Sequence, residues 1–219
     1  MRRESLQEQL VQLDALLAQM CTEVAAGMQH ATTALLDSRV RLAERVISAD
    51  DAVDALRNRI EEVATEALVF HAPVASGLRT VVTAIRSADD IERMGDLAQH
   101  VAEAARRRHP GSAVPEEVRP LFAEMGALGV RLALKTAEVI RTRNVLMAVE
   151  LEREDDAMDE LHKHMFAVLM DQDWRHGVAP AVDLTLLARY YERYADHAVS
   201  VARHMVFAVT GGTPESLPI

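Results

Sequence analysis

The sequence predicts an all-α fold made of two tandem three-helix bundles, that is, a six-helix duplicated repeat. Ala, Leu, Val, Met, Glu and Arg dominate the 219 residues, and aromatic residues make up only 4%; this composition favours helix. No proline falls within 1–72 or 121–179, so long helices fit both stretches. Apolar residues recur every three or four positions along most of the chain, which is typical of amphipathic helices.

The first half predicts three helices in succession. Residues 6–35 carry an apolar stripe that begins at Leu6 and predict the first helix. A second helix is expected over about 39–70, because the chain then reaches Pro73. A third helix is expected over about 74–109, where Pro110 and a glycine stop it.

The same order of elements then restarts after a linker at 110–116. Helices are expected over about 116–141, 144–173 and 178–209. We therefore predict a first repeat at 1–110 and a second at 115–210. A Gly- and Pro-containing flexible tail is expected at 211–219.

Composition narrows the classes of function. Hydrophobic residues make up 49% and charged residues 26%, as in ordinary globular proteins. The net charge of −10 disfavours nucleic acid as a partner, because binding to phosphates needs a basic surface. No run approaches the ~20 apolar residues of a membrane span, so no transmembrane segment is expected. Cys21 is the single cysteine and is expected in the core, which fits a reduced, cytosolic protein.

An internal duplication supports the two-bundle prediction. The segments Glu92–Asp96 and Glu192–Asp196 share the pattern E-R-x-x-D. A shift of 100 aligns 74–105 with 174–205, and a shift of 105 aligns 35–56 with 140–161. The third helix of each half, and part of the second, therefore repeat.

Acidic residues recur at matching places in both halves. In the third predicted helix a stripe begins with Leu78 and turns acidic halfway along, so we expect it to face another helix. Carboxylates on such a stripe need a neutralising partner, either arginine or a metal ion, and residue chemistry alone leaves both open. The candidate metal ligands are Asp50, Asp54, Asp89, Glu92, Asp96, Asp155, Asp159, Glu192 and Asp196.

Catalytic signatures are missing from the sequence. A ferritin-like di-iron site needs two Glu-x-x-His motifs, and the sequence has none. It also lacks a glycine-rich phosphate loop, a G-x-S-x-G elbow and an H-E-x-x-H motif. We therefore expect no enzyme. Among the nine histidines, His197 is the best candidate for the acidic site because it follows Asp196.

These motifs resemble the PhoU family of bacterial phosphate-uptake regulators. The resemblance rests on both E-R-x-x-D elements, on the paired acids of the preceding helices and on the segment 72–79. It implies a cytoplasmic protein, peripheral to the inner membrane through its partners, that represses the phosphate-starvation response. The implied partners are the ATPase side of the phosphate ABC transporter and the phosphate-sensing histidine kinase. A homodimer is also expected.

The resemblance further implies a multinuclear metal site of iron, zinc, manganese or magnesium. Some family members bind such clusters through E(D)xxxD motifs, which here are the acidic pairs of both halves. The second half departs from the family pattern. Asp90 matches the acid that family members often have two residues before the Glu, but the corresponding residue of the second half is Tyr190, and Asp89 corresponds to Arg189. We therefore expect the first half to bind metal more tightly. The alternatives are a carboxylate-rich metal-storage or redox protein, and a helical scaffold whose carboxylates pair with arginine.

Overall fold

The computed structural model describes residues 5–213, apart from the side chain of Asp50. Throughout this range the chain forms helices, turns and bends without a β-strand, so the predicted all-α class is confirmed. The α-helices are α1 (Leu6–Leu36), α2 (Val40–Ser48), α3 (Asp50–His71), α4 (Ala75–Arg108), α5 (Arg119–Thr142), α6 (Val145–Leu169) and α7 (Val178–Thr210), and a 3-10 turn covers Glu116–Val118. Most of the expected tail, 214–219, lies outside the described residues.

Local chemistry explains several helix ends. A capping box starts α1: the Ser5 hydroxyl accepts from the backbone N–H of Glu8, whose carboxylate accepts from the backbone N–H of Ser5. The residue that caps the end of α7 is Gly211, whose φ of 78° lies in the left-handed region that favours glycine. Three arginines occupy the last turn of α4, where cations stabilise the helix dipole.

Two of the predicted helices differ from the structure. The expected helix at 39–70 is divided into α2 and α3 at Ala49, although no proline or glycine marks the break. The corresponding stretch of the second half is continuous in α6. That helix ends at Leu169, before the predicted 173, because the side chain of Asp171 accepts a hydrogen bond from the backbone N–H of Asp173.

Each half consists of three helical arms: α1, α2 with α3, and α4 in the first half, and α5, α6 and α7 in the second. This arrangement confirms the two three-helix bundles. In the first half, α2 and α3 together flank α1 and α4; in the second, α6 flanks α5 and α7. Between the halves, α1 packs on α5 and α4 packs on α7. The hydrophobic core is continuous from one half to the other and includes Leu35, Met94, Tyr191 and Tyr194. Cys21 is buried in this core, as predicted.

Helices α4 and α7 pack in antiparallel directions, and their contacts follow the symmetry of the repeat. Asp90 of α4 contacts Ser200 of α7, and His100 of α4 contacts Tyr190 of α7. The shift of 100 that relates the halves converts one of these pairs into the other. The two repeats are therefore related by an approximate two-fold axis across this contact. No described helix is long and apolar enough to cross a membrane.

Candidate functional site

Two acidic clusters lie between the second and third arms of the two halves. The first acidic cluster is Asp54 of α3 with Asp89, Glu92 and Asp96 of α4; Asp50 begins α3, but its side chain is not described. The second acidic cluster is Asp155 and Asp159 of α6 with Glu192 and Asp196 of α7. Burial, and after it the carboxylates on the two helices of each cluster, raise the pKa of Glu92 and of Asp155. The fold thus places the predicted residues of each half on the same two neighbouring helices.

The acidic stripe of α4 faces α3, as predicted, but it lies at the edge of the hydrophobic core and is not part of it. Leu78, at its apolar end, is 41% exposed, and the side chain of Asp89 is 56% exposed. The buried face of α4 is instead the neighbouring stripe that includes Ala88, Ile91 and Met94. The acidic stripe packs toward α3, which is shorter than α4, so the stripe is only half covered.

Arginines compensate the first acidic cluster. Arg57 of α3 reaches across to α4, where its Nε lies 3.0 Å from Oδ1 of Asp89. Arg93 lies 2.7 Å from Asp96 and 3.6 Å from Glu92. Burial and the nearby Asp96 raise the pKa of Glu92, while both arginines act in the opposite direction. Arginine side chains thus pair with three of the four carboxylates described in this cluster.

The second acidic cluster is compensated less completely. Burial, followed by the charges of Asp196 and Asp159, raises the pKa of Asp155 to about 7. Arg189 forms an ion pair with Oε1 of Glu192, but Oε2 of the same carboxylate is buried without a hydrogen-bond partner among the described residues. Burial and Asp196 also raise the pKa of Glu192. This half therefore holds uncompensated negative charge.

The two clusters differ through an exchange of charged residues. The shift of 105 places His162 of α6 where α3 has Arg57, and the shift of 100 places Arg189 where α4 has Asp89. Nε2 of His162 is buried without a hydrogen-bond partner among the described residues. Burial and the charge of Arg189 lower the pKa of His162. Sequence reasoning missed Arg57 and His162, although the 105-residue shift aligns them.

His197 belongs to a different contact from the one expected. Its Nδ1 lies 2.8 Å from Oδ1 of Asp90, and the hydroxyl of Ser200 donates to Oδ2 of the same carboxylate. Burial opposes the charge of Asp90, but the hydrogen bonds from His197 and Ser200 outweigh it and lower the pKa of this carboxyl group. The histidine therefore ties α7 to α4 across the two halves.

The metal that the resemblance implies can be tested against these donors. Among the side chains described within 5–213, no three His, Cys, Asp or Glu groups are close enough together to hold an ion as they stand. The donors are nevertheless carboxylates on two facing helices, which suit hard cations such as Mg²⁺ and Mn²⁺. The orphaned oxygen of Glu192 and the excess charge around Asp155 fit a cation in the second acidic cluster. In the first cluster, Arg57 and Arg93 already pair with Asp89, Glu92 and Asp96.

Fold and site together define a duplicated all-α bundle with an acidic cluster in each half. Comparison with protein-family models finds the PhoU domain twice, at residues 17–105 and 122–205. The chain therefore belongs to the PhoU family.

Two mycobacterial relatives and one solved structure agree with this assignment. The chain is 50% identical to the phosphate-specific transport system accessory protein PhoU homolog 2 of Mycobacterium tuberculosis H37Rv, over 97% of this chain and all of that protein. It is 41% identical to homolog 1 of the same strain, over 94% of each chain. The crystal structure of PhoU from Pseudomonas aeruginosa superposes with a TM-score of 0.85 at 22% identity, over 95% of this chain and all of that one, and supports the fold. The chain thus belongs with regulators related to phosphate transport.

Proposed function

We propose that this protein is a cytoplasmic negative regulator of the phosphate-starvation response. In this role it acts as a signalling adaptor that couples the phosphate ABC transporter, through its ATPase, to the phosphate-sensing histidine kinase. The observation that carries the proposal is the 50% identity, over nearly the whole chain, to a protein named a phosphate-specific transport system accessory protein. The adaptor has no catalytic activity of its own, works as a homodimer and reaches the membrane through its partners.

Exposed apolar side chains support a role in protein binding. Val74, in the turn before α4, is 79% exposed, and Val178, which starts α7, is 80% exposed. Met170, which follows α6, is 82% exposed. Exposed apolar side chains that concentrate near the turns of a helical protein are candidates for contact with another protein. Both repeats offer such a turn, so the chain has two surfaces with which to link two partners.

A direct binding measurement tests the adaptor proposal. The purified chain is passed over the immobilised cytoplasmic part of the kinase and, separately, over the transporter ATPase. We expect saturable binding to each, weakened by Val74→Ser or Val178→Ser because these changes remove exposed apolar surface. Leu134→Ser, at an exposed site on α5 away from the turns, is the matched control and should bind as the unmodified chain does. Absence of binding to both partners would contradict the proposal.

We propose in addition that a metal site accompanies this function. Its ligands come from the acidic pairs of the repeats, with iron, zinc, manganese or magnesium as the ion and more than one ion in a cluster. When bound, the metal neutralises carboxylates that otherwise repel one another across two helices. These residues lie on neighbouring arms of a bundle, so metal binding would bias how the arms pack. The set to be tested is Asp50, Asp54, Asp89, Glu92, Asp96, Asp155, Asp159, Glu192 and Asp196.

The uncompensated charge of the second acidic cluster also favours a second candidate function, metal storage or redox chemistry. Measurements of turnover and of ion uptake distinguish this candidate from the adaptor. A redox protein loaded with iron consumes oxygen or peroxide catalytically, and a storage protein takes up many ions for each chain. We expect neither behaviour. Sustained peroxide consumption by the iron-loaded chain, lost in Asp155→Asn, would establish the second candidate in place of the first.

A further inference from the structure

An open groove of about 840 Å³ lies beside the break between α2 and α3, and we call it the α2 groove. Its two walls are α1 and α2, and its floor includes Val53 of α3 and Ala98 of α4. The volume falls within the range of small-molecule sites, which is about 300–1,000 Å³. No carboxylate that the structure describes in the first acidic cluster lines this groove. The α2 groove is therefore a separate candidate site.

The floor of the α2 groove is apolar and has small side chains. Gly27 of α1 lies over Ala98 of α4, since a Cβ atom on the glycine would be 3.8 Å from Cβ of the alanine. Val46 and Val53 complete the floor, and both are buried. Because the side chains at the centre are so small, the floor leaves room for an apolar ring above it.

One wall of the α2 groove carries two arginines. Arg41 and Arg45 are one helical turn apart on α2, so they lie on the same face and repel each other. Both are exposed, and neither forms an ion pair with any residue that the structure describes. His30 of α1 lines the groove near them. Guanidinium groups bind phosphate through paired N–H donors, so this wall suits the phosphate groups of a ligand.

Two carboxylates restrict the kind of anion that fits. Glu44 lies on α2 with the arginines, and Glu23 lies on the opposite wall, on α1. These groups repel a small anion that fills the groove. They accept hydrogen bonds, however, from a ligand that carries hydroxyl or amine groups at some distance from its phosphates. The groove therefore suits a ligand that has an anionic end, an apolar ring and several donors.

The arginine wall is a feature of the first half. The shift of 105 aligns Arg41 with Leu146 and Arg45 with Glu150. Lys135 of α5 lies 3.3 Å from Glu150 and 2.7 Å from Glu154, so an ion-pair network ties α5 to α6 there. The second arm is also continuous in this half. The same two positions on the second arm thus serve packing in one half and face an open groove in the other.

We propose that the α2 groove binds a nucleotide. The phosphate groups lie against Arg41 and Arg45, the base covers the apolar floor, and a sugar hydroxyl or base amine donates to Glu23. This binding site adds to the proposed regulatory function and does not depend on it.

Isothermal titration calorimetry of the full-length chain with ATP, in buffer that contains a chelator, tests the proposal. We expect saturable binding by the unmodified chain. The double variant Arg41→Gln with Arg45→Gln should raise the Kd by at least about tenfold, because hydrogen bonds to charged groups are lost. Arg131→Gln with Arg153→Gln is the matched control, since it removes two exposed arginines of the second half. It should leave the Kd unchanged, and circular dichroism verifies that both variants fold.

Fragments of ATP show which groups the groove recognises. Inorganic triphosphate lacks the base and sugar, and adenosine lacks the phosphates, so each should bind at least about tenfold more weakly than ATP. Glu23→Ala should weaken the binding of ATP but not of triphosphate, because only ATP has hydroxyl and amine donors for this carboxylate.

Three results would overturn the proposal. One is the absence of saturable ATP binding by the unmodified chain. Another is an equal Kd for the two double arginine variants. The third is binding of triphosphate as tight as that of ATP, which would show that the groove recognises charge alone. Because the chelator removes free metal ions, none of these results depends on a metal ion in the acidic clusters.

Discussion

Tyr191 and Tyr194 are both fully buried on α7, yet their hydroxyl groups have opposite surroundings. The hydroxyl of Tyr191 lies 2.9 Å from Oγ1 of Thr32 on α1, which links the two halves. The hydroxyl of Tyr194 has no hydrogen-bond partner among the described residues. Burial raises the pKa of both phenols, so each stays protonated. The same change at the two positions should therefore have different effects.

Tyr191→Phe should lower the free energy of unfolding by about 1 kcal/mol, because it removes one buried hydrogen bond. Tyr194→Phe should leave that free energy unchanged or raise it by up to about 1 kcal/mol, since a buried unpaired hydroxyl costs energy. Urea unfolding of both variants measures the difference. Equal destabilisation by the two changes would contradict the assigned surroundings.

Asp155 gives the second acidic cluster a dependence on pH. Burial raises the pKa of its carboxyl group in the folded state from the ordinary 3.8 to about 7. The folded state therefore holds a proton that the unfolded state releases, so the stability from this group is full below pH 4 and is lost as the pH rises to about 7. Asp155→Asn removes this loss of stability at high pH, because asparagine cannot ionise. In the presence of a chelator, it should stabilise the chain by roughly 1–2 kcal/mol at pH 8, after allowance for solvent screening, and much less at pH 5.

The control for this experiment is Glu124→Gln, a change at an exposed carboxylate on α5. Its effect on unfolding should be small and equal at both pH values. If Asp155→Asn behaves in the same way as the control, the carboxyl group of Asp155 is ionised at little cost, and the second cluster is better compensated than its geometry indicates.

At the scale of the helices, two glycines report how closely α1 packs on its neighbours. A Cβ atom on Gly126 of α5 would lie 2.5 Å from Cγ2 of Thr32. Thr32 cannot turn away freely, because its hydroxyl donates to the backbone oxygen of Met28 and contacts Tyr191. A Cβ atom on Gly27 of α1 would meet only Cβ of Ala98, at an ordinary 3.8 Å.

Gly126→Ala should therefore destabilise the chain by roughly 1–3 kcal/mol through overpacking of α1 against α5. Gly27→Ala should be neutral or stabilising by up to about 1 kcal/mol, because alanine is the better helix former. Thermal unfolding followed by circular dichroism compares the two. A neutral Gly126→Ala would show that the two helices are further apart than described.

The sequence predicts most helices closely because their signals are local. Periodic apolar residues and the prolines mark five of the six predicted helices to within a few residues. The break at Ala49 carries no such signal: the residue has ordinary helix-compatible angles, and its N–H still bonds back to Arg45 and Val46. Both α2 and α3 pack against α1 and α4, so the break lies between two segments that share the same neighbours.

The candidate site was less predictable, because its balance of charge depends on contacts between helices. The acids of both clusters are visible in the repeat, but Arg57 reaches Asp89 from a residue 32 positions away. Likewise, the partner of His197 is Asp90 in the other half, 107 positions away, and not the adjacent acid. Helical spacing identifies neighbours within one helix and does not identify those across two.

At the scale of the whole molecule, the two repeats share one core. The packing of α1 on α5 and of α4 on α7 buries residues of both halves together. The ion pair of Asp14 with Arg143, at 2.7 Å, adds a polar link between α1 and the turn before α6. The repeats are therefore expected to depend on each other for stability.

Calorimetry should accordingly show one unfolding transition, with equal calorimetric and van't Hoff enthalpies, because neither half can keep its buried surface without the other. The metal-free chain is used so that ion binding does not stabilise one half selectively. Two well-separated transitions would contradict a shared core and would indicate that the repeats fold as independent domains.

The proposed repression of the phosphate-starvation response is also a property of the whole molecule. Because M. tuberculosis H37Rv has relatives named homolog 1 and homolog 2, a host can hold two copies, and both must be deleted before the chain is tested. The measurement is a reporter fused to a phosphate-starvation promoter, followed in phosphate-rich medium. We expect the reporter to be on in the deleted strain and to be repressed when this chain is supplied. A reporter that stays on while the chain accumulates, or that is already repressed in the deleted strain, would contradict it.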